Sequence, residues 1–178
     1  MLSMLFLLPS FFSFIQQEWA WSIHPEAGFK VMTPLALVHE VREVPTELDV
    51  IQFHQYHIGS VADSTLAMAF VIDYYKMPQQ VSEKDDEYTR DFFENTIDQI
   101  LTSLNGTLVY MDILHQPESE VCIWKANYSD GKGVIRGQTI IAGDKYYGLQ
   151  VFGLEADEPD QMMSKFLDSF KLLSNPSQ

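Results

Sequence analysis

The sequence predicts an α+β domain, an α-β-α sandwich around a mostly antiparallel sheet, and three observations lead there. Strand-like segments come first, then a long helical pattern, then four strands in a meander, then a second helical pattern. The meander carries apolar residues on both of its alternating faces, Tyr146 and Phe152 on one and Tyr147, Leu149 and Val151 on the other. A sheet wet on one side would alternate more cleanly, so both faces need covering. The two helical segments each show one apolar stripe, which is what a cover requires.

Taken in order, Trp21–His24 and Phe29–Met32 alternate around Pro25-Glu26-Ala27-Gly28, which reads as strand, turn and strand. Thr33-Pro34 ends the second, and Ala36–Thr46 mixes polar and apolar residues without clear period. Val50–Ile58 and Thr65–Tyr75 are rich in β-branched and aromatic residues and read as an antiparallel pair joined by Gly59–Ser64. Over residues 86–104 the period changes. Tyr88, Phe92, Phe93, Ile97, Ile100, Leu101 and Leu104 recur at helical spacing, and Asn105-Gly106 supplies the stop. Thr107–Leu114, Glu120–Tyr128, Val134–Ala142 and Lys145–Leu154 form the meander, with turns at Asp130-Gly131 and Gly143-Asp144. The last helix starts at Asp157 or Glu158 with Pro159 in its first turn, and Met162, Met163, Phe166, Leu167, Phe170 and Leu173 make its stripe. No internal repeat or linker divides the chain.

The 178 residues suit one domain and bury enough surface to fold without metal or disulfide staples. Net charge is −14, from 25 acidic and 11 basic residues. Nucleic acid draws its affinity from Lys and Arg against phosphate, so no nucleic-acid partner is expected. The acidic runs Glu83–Asp86 and Glu155–Asp160 read as solvated first turns of helices. Both lack the spaced oxygen ligands and the turn glycine of a calcium loop.

Met1–Ile15 is an uncharged apolar run, shorter than the stretch of about 20 residues that spans a bilayer and of the length of a signal-peptide core. No Lys or Arg precedes it and no clean small-x-small site follows. Residues 1–20 therefore read as a signal peptide cut near Ser13 to Gln17, and 21–178 as the mature domain in the periplasm or outside the cell. An uncleaved anchor and a buried cytoplasmic segment are the alternatives. No stable membrane span is expected after processing.

No catalytic, cofactor-binding or metal-ligating set emerges. His54 and His57, three apart on a strand, point to opposite faces and cannot converge on one ion. His39 and His115 lie near acids but nothing pairs them. Gly59-Ser60-Val61-Ala62-Asp63 lacks the second glycine of a nucleophile elbow. Cys122, the single cysteine, shares a strand face with Trp124 and should be buried and inert. Gly131-Lys132-Gly133 is a hairpin turn rather than a phosphate cradle, since no nucleotide-binding glycine pattern is present. With so many acids a carboxylate pair could meet a glycosidase spacing by chance, and the sequence ranks none. The sequons at Asn105 and Asn127 matter only in a eukaryotic secretory pathway.

Gly28-Phe29-Lys30-Val31-Met32-Thr33-Pro34 resembles the opening of PsbP-like domains, where a Gly-aromatic strand runs into a proline. Tyr146–Val151 and Phe166-Leu167-Asp168-Ser169-Phe170-Lys171-Leu172 look like the last strand and last helix of that superfamily, and the element order agrees from about Trp21 to Leu173. The group takes in a nuclear factor that binds the GTPase Ran and exported bacterial proteins. The resemblance implies the α-β-α sandwich and a non-catalytic binding or accessory role, and it carries no catalytic residues over. The function expected is thus an exported, non-enzymatic protein, without cofactor, that docks to an unidentified protein partner. A hydrolase using two acids in a cleft and a cytoplasmic small-GTPase-binding factor are the rivals.

Overall fold

The computed structural model describes residues 18–46, 49–59, 68–78, 86–155 and 160–173. Its elements are β1 (Ala20–His24), β2 (Phe29–Thr33), β3 (Val38–Pro45), β4 (Val50–Ile58), β5 (Met68–Lys76), α1 (Asp86–Leu104), β6 (Thr107–Gln116), β7 (Ser119–Tyr128), β8 (Gly133–Ala142), β9 (Lys145–Leu154), α2 (Asp160–Ser169) and β10 (Lys171–Leu172). A seven-stranded sheet runs β3-β4-β5-β9-β8-β7-β6, and a three-stranded sheet runs β1-β2-β10. Every pairing is antiparallel. The fold is α+β.

The meander folds as its turns dictate. Ser129, Asp130 and Gly131 all take positive φ between β7 and β8, and Gly143 does so between β8 and β9. In β8, Gly137 faces Trp124 of β7 in register. A Cβ at Gly137 would come within 2.1 Å of the indole, so only glycine lets the ring lie flat across the strand.

The two alternating residue sets of β9 enter two different cores. Tyr147, Leu149 and Val151 join Phe29 and Val31 of β2, Tyr56 of β4, Phe70, Ile72 and Tyr74 of β5, and Met163, Phe166 and Leu167 of α2. Tyr146 and Phe152 join Phe93, Ile97 and Leu101 of α1 with Cys122, Trp124 and Ile135. Each large apolar side chain so buried is worth roughly 1.5–3 kcal/mol. Cys122 is fully buried beside Trp124, and burial pushes its thiol up to about 12.

Helix α1 stops as its sequence requires. Asn105 adopts φ 51°, Gly106 N–H donates to Leu101 O at 2.8 Å and Asn105 N–H to Thr102 O at 3.4 Å. Those two bonds satisfy carbonyls that the helix end leaves open. Tyr88, counted on its stripe, is exposed instead, stacked along the helix toward Phe92.

Residues 36–46, where the sequence shows no clear period, hold the edge strand β3, Val38–Pro45, paired along its whole length with β4. One expectation is corrected, because the carboxy-terminal stripe stops short of Leu173. Ser169 ends α2, its Oγ donating to Phe166 O and accepting Met32 N–H, each at 2.8 Å. Residues 171–172 then pair with Lys30 and Phe29, giving the open edge of β2 its partners. Phe170 keeps its apolar role, its ring 5.5 Å from Phe29 and 5.4 Å from Tyr147. The expected helix start at Asp157 or Glu158 and the leader Met1–Ile15 lie outside the described residues, as do residues 65–67 of the expected strand Thr65–Tyr75.

Candidate functional site

Three of the five histidines, His24, His39 and His54, gather at the β3–β4 edge of the large sheet. Strands β3 and β4 pair with His39 opposite Tyr56 and Val41 opposite His54, so His39 and His54 stand diagonally on one face. Their Nε2 and Nδ1 atoms are 3.1 Å apart. His39 stacks on Tyr56 with ring centroids 4.1 Å apart and planes within 4°. His54 leans on Tyr74 of β5 at 5.3 Å. The small sheet closes the group from above. His24 packs on Tyr56 at 4.5 Å, its Nε2 2.8 Å from Ser22 Oγ and its Nδ1 3.5 Å from Glu26. Tyr56 donates to the same Glu26 oxygen at 3.5 Å.

Glu26, Gln52, His54, Tyr56, Tyr74 and Lys76 line a cleft of about 500 Å³. Burial lowers the pKa of His24 and, together with the neighbouring His39, that of His54. Burial and Glu26 push the Tyr56 phenol up to about 12. The ring group is therefore held neutral near neutral pH at His54 and Tyr56. A larger cleft, about 780 Å³, lies between α2–β10 and the β6–β7 turn; it has Glu118, Asp168 and Lys171 on its walls and no histidine.

The opposite face of the same strands carries a buried acid. Asp73, in the middle of β5, accepts Gln55 Nε2 at 2.8 Å on one oxygen and Gln150 Nε2 at 3.2 Å on the other. Burial raises its carboxyl to about 6 against the pull of those amides and of Arg42. What its two oxygens meet is glutamine, where a carboxylate dyad would set a second acid.

The outer face of the small sheet has a third character. Register places Trp21 beside Met32, and Ile23 and Lys171 beside Lys30. Trp21 is 45% exposed and Ile23 57% exposed, with Lys30 Nζ 5.0 Å and Lys171 Nζ 5.9 Å from the indole centre. None of the residues in β1, β2 and β10 is acidic, in a chain whose net charge is −14.

The residues weighed from sequence fall as follows. His54 and His57 do diverge, with His57 reaching Glu40 at 3.6 Å on the Asp73 side. His115 pairs across β6–β7 with Glu120 at 2.6 Å, far from the other rings in the sheet order. Among the described residues no set of three or more His, Cys, Asp or Glu is placed to hold a metal. Gly131 and Lys132 lie in the hairpin turn and Gly133 opens β8. Asn105 caps α1, Asn127 lies in β7, and Ser60 lies outside the described residues. Sequence reasoning missed the pairing of His39 with His54 because it missed β3. It also passed over Asp73, whose signal was a lone acid inside the apolar run of β5.

No family model matches the sequence, and no curated protein does. The architecture does match. The solution structure of cyanobacterial PsbP (CyanoP) from Synechocystis sp. PCC 6803 aligns with TM-score 0.61 at 9% identity, over 88% of this chain and 93% of that one. So broad an overlap at so low an identity is a likeness of architecture, and the chain has the PsbP-like fold.

Proposed function

We propose that the protein is an exported, non-enzymatic accessory factor that docks onto an acidic, partly apolar protein surface through the outer face of its small sheet. The observation that carries this reading is the patch of Trp21, Ile23, Lys30 and Lys171, without an acid in its strands, on a strongly acidic chain. An exposed Trp flanked by lysines supplies what an interface centre uses, a large flat apolar area with charge at its rim. The remaining acids do not forbid an acidic partner, because at physiological salt charges farther than about 8 Å are largely screened.

The placing of α1 and α2 against separate cores supports reading residues 21–178 as one α-β-α sandwich domain. The PsbP-like fold supports an accessory role over an enzymatic one. Export rests on the apolar run Met1–Ile15, and no helix among the described residues is long and apolar enough to cross a membrane.

The test is a pull-down from the native envelope fraction with wild type and with Lys30→Glu/Lys171→Glu. Wild type should retain a partner that salt releases, and the variant, folded by circular dichroism, should not. Equal capture by the two proteins would remove the small sheet from the interface. Mass spectrometry of protein from the same host should show loss of roughly the first 13–20 residues. An intact Met1 in a cytoplasmic fraction would overturn export.

A further inference from the structure

The two edges of the large sheet differ in how they are protected. Its first edge, β3, carries His39, Glu40, Arg42, Glu43 and Pro45, charges and a proline of the kind that keep a foreign strand away. Its last, β6, is apolar at six of ten positions and holds one formal charge, Asp112. His115 is tied to Glu120 on β7. Leu108, Val109, Tyr110 and Leu114 are exposed, and no strand lies beyond β6 among the described residues. The outward N–H and C=O groups of such an edge are a template for pairing. The regular part of the edge is short and symmetric. Val109 bulges out of register between Leu108 and Tyr110, and Pro117 has no N–H to give. Each stands four residues from Ile113, so the usable stretch is Tyr110–Gln116 with Ile113 at its centre.

We propose that β6 pairs antiparallel with β6 of a second copy of this chain, about a two-fold axis through Ile113. An axis perpendicular to the sheet reverses strand direction and keeps the faces. The two large sheets then join as one, with both α1 helices covering the same side. The register follows from the centre. Ile113 meets its own counterpart, Met111 meets His115, Asp112 meets Leu114 and Tyr110 meets Gln116. On the face away from α1, Leu114 reaches Leu114 and Tyr110 of the second copy diagonally. Charge selects both the occupant and the register. A chain of net charge −14 repels its like over most of its surface, but along this edge Asp112 is the one formal charge, and it faces leucine. Moving the axis to Asp112 would set that acid against itself, and like charges directly opposite destabilise a strand pair.

This contact is separate from the small-sheet patch, so either can fail alone. Untagged full-length protein is followed by sedimentation velocity over roughly 1 μM to 1 mM, the range in which weak contacts between copies come apart. Wild type should pass from monomer to dimer. Hydrogen exchange at the high end should slow the amides of residues 110–116 and leave those of β3 unchanged. Leu114→Glu sets an acid against Asp112 of the second copy, twice over by symmetry, and should weaken dimerisation about tenfold. Leu114→Lys sets a base there and should dimerise at least as tightly as wild type. Leu114 is exposed and belongs to neither core, and circular dichroism melts check that both variants keep the sheet. A wild type that stays monomeric throughout, its edge kept for the strand of another protein, would overturn the proposal. So would a dimer protected at β3 or in the small sheet instead, or equal weakening by the two Leu114 variants.

Discussion

At the scale of single residues, Asp73 makes the pH dependence of stability legible. Its carboxyl is raised to about 6, chiefly by burial, while in an unfolded chain it would titrate near 4. The native state therefore binds the proton more tightly than the unfolded state does. Stability from this group is fully present below about pH 4 and is lost as pH rises through about 6. The loss is at most about 3 kcal/mol, the equivalent of the two-unit shift. Asp73→Asn keeps the shape and removes the charge. Urea unfolding between pH 4 and 7.5 should show the variant gaining on wild type across that window, to become the more stable protein at neutral pH. A difference between the two that does not change with pH would mean the carboxyl is not perturbed in the fold.

At the scale of elements, α2 is short but its stripe is fully committed. Met163 and Phe166 are fully buried and Leu167 nearly so, against β2, β8 and β9, while Asp168 faces solvent. Phe166→Ala should cost about 3–5 kcal/mol in denaturant unfolding, and Asp168→Ala no more than about 0.5 kcal/mol. Equal effects would show that the stripe is not the contact. This helix could be read from its period, as could α1, because a single buried face imposes a single repeat, whereas the meander strands, apolar on both faces, are marked off by their turn residues. Strand β3 could not. Its valines, Val38, Val41 and Val44, recur every third residue, and as an edge strand with nearly every side chain exposed it has no buried face to enforce alternation. His39 was hidden by the same cause, since its pairing with His54 exists only once β3 is placed on β4. The two-residue β10 was illegible for another reason: its pairing partner, β2, lies at the other end of the sequence.

At the scale of the molecule, what could be foreseen was that β9 faces apolar neighbours on both sides. What could not was that residues 20–33 leave the main sheet and, with β10, form a second one over its first core. Tyr147 ties the two together, its Oη donating to Ala27 O at 2.8 Å. That arrangement sets a temporal order. The meander β6 to β9 closes through neighbouring strands and short turns, whereas β5 must find β9 by pairing Met68 with Gly153, and β2 must wait for Lys171 to meet Lys30. Contacts between distant parts of a chain carry a larger closure entropy and are made later. In stopped-flow refolding, Ile135→Val in β8 should slow folding in proportion to the stability it removes, a φ-value well above one half. Val31→Ala in β2 should leave the refolding rate nearly unchanged and speed unfolding instead. If Val31→Ala slows refolding as much, the small sheet belongs to the nucleus. If the order holds, newly made chains pass through a stage with the meander formed and the first core still uncovered, when Phe70, Leu149 and Val151 face water and aggregation is the hazard.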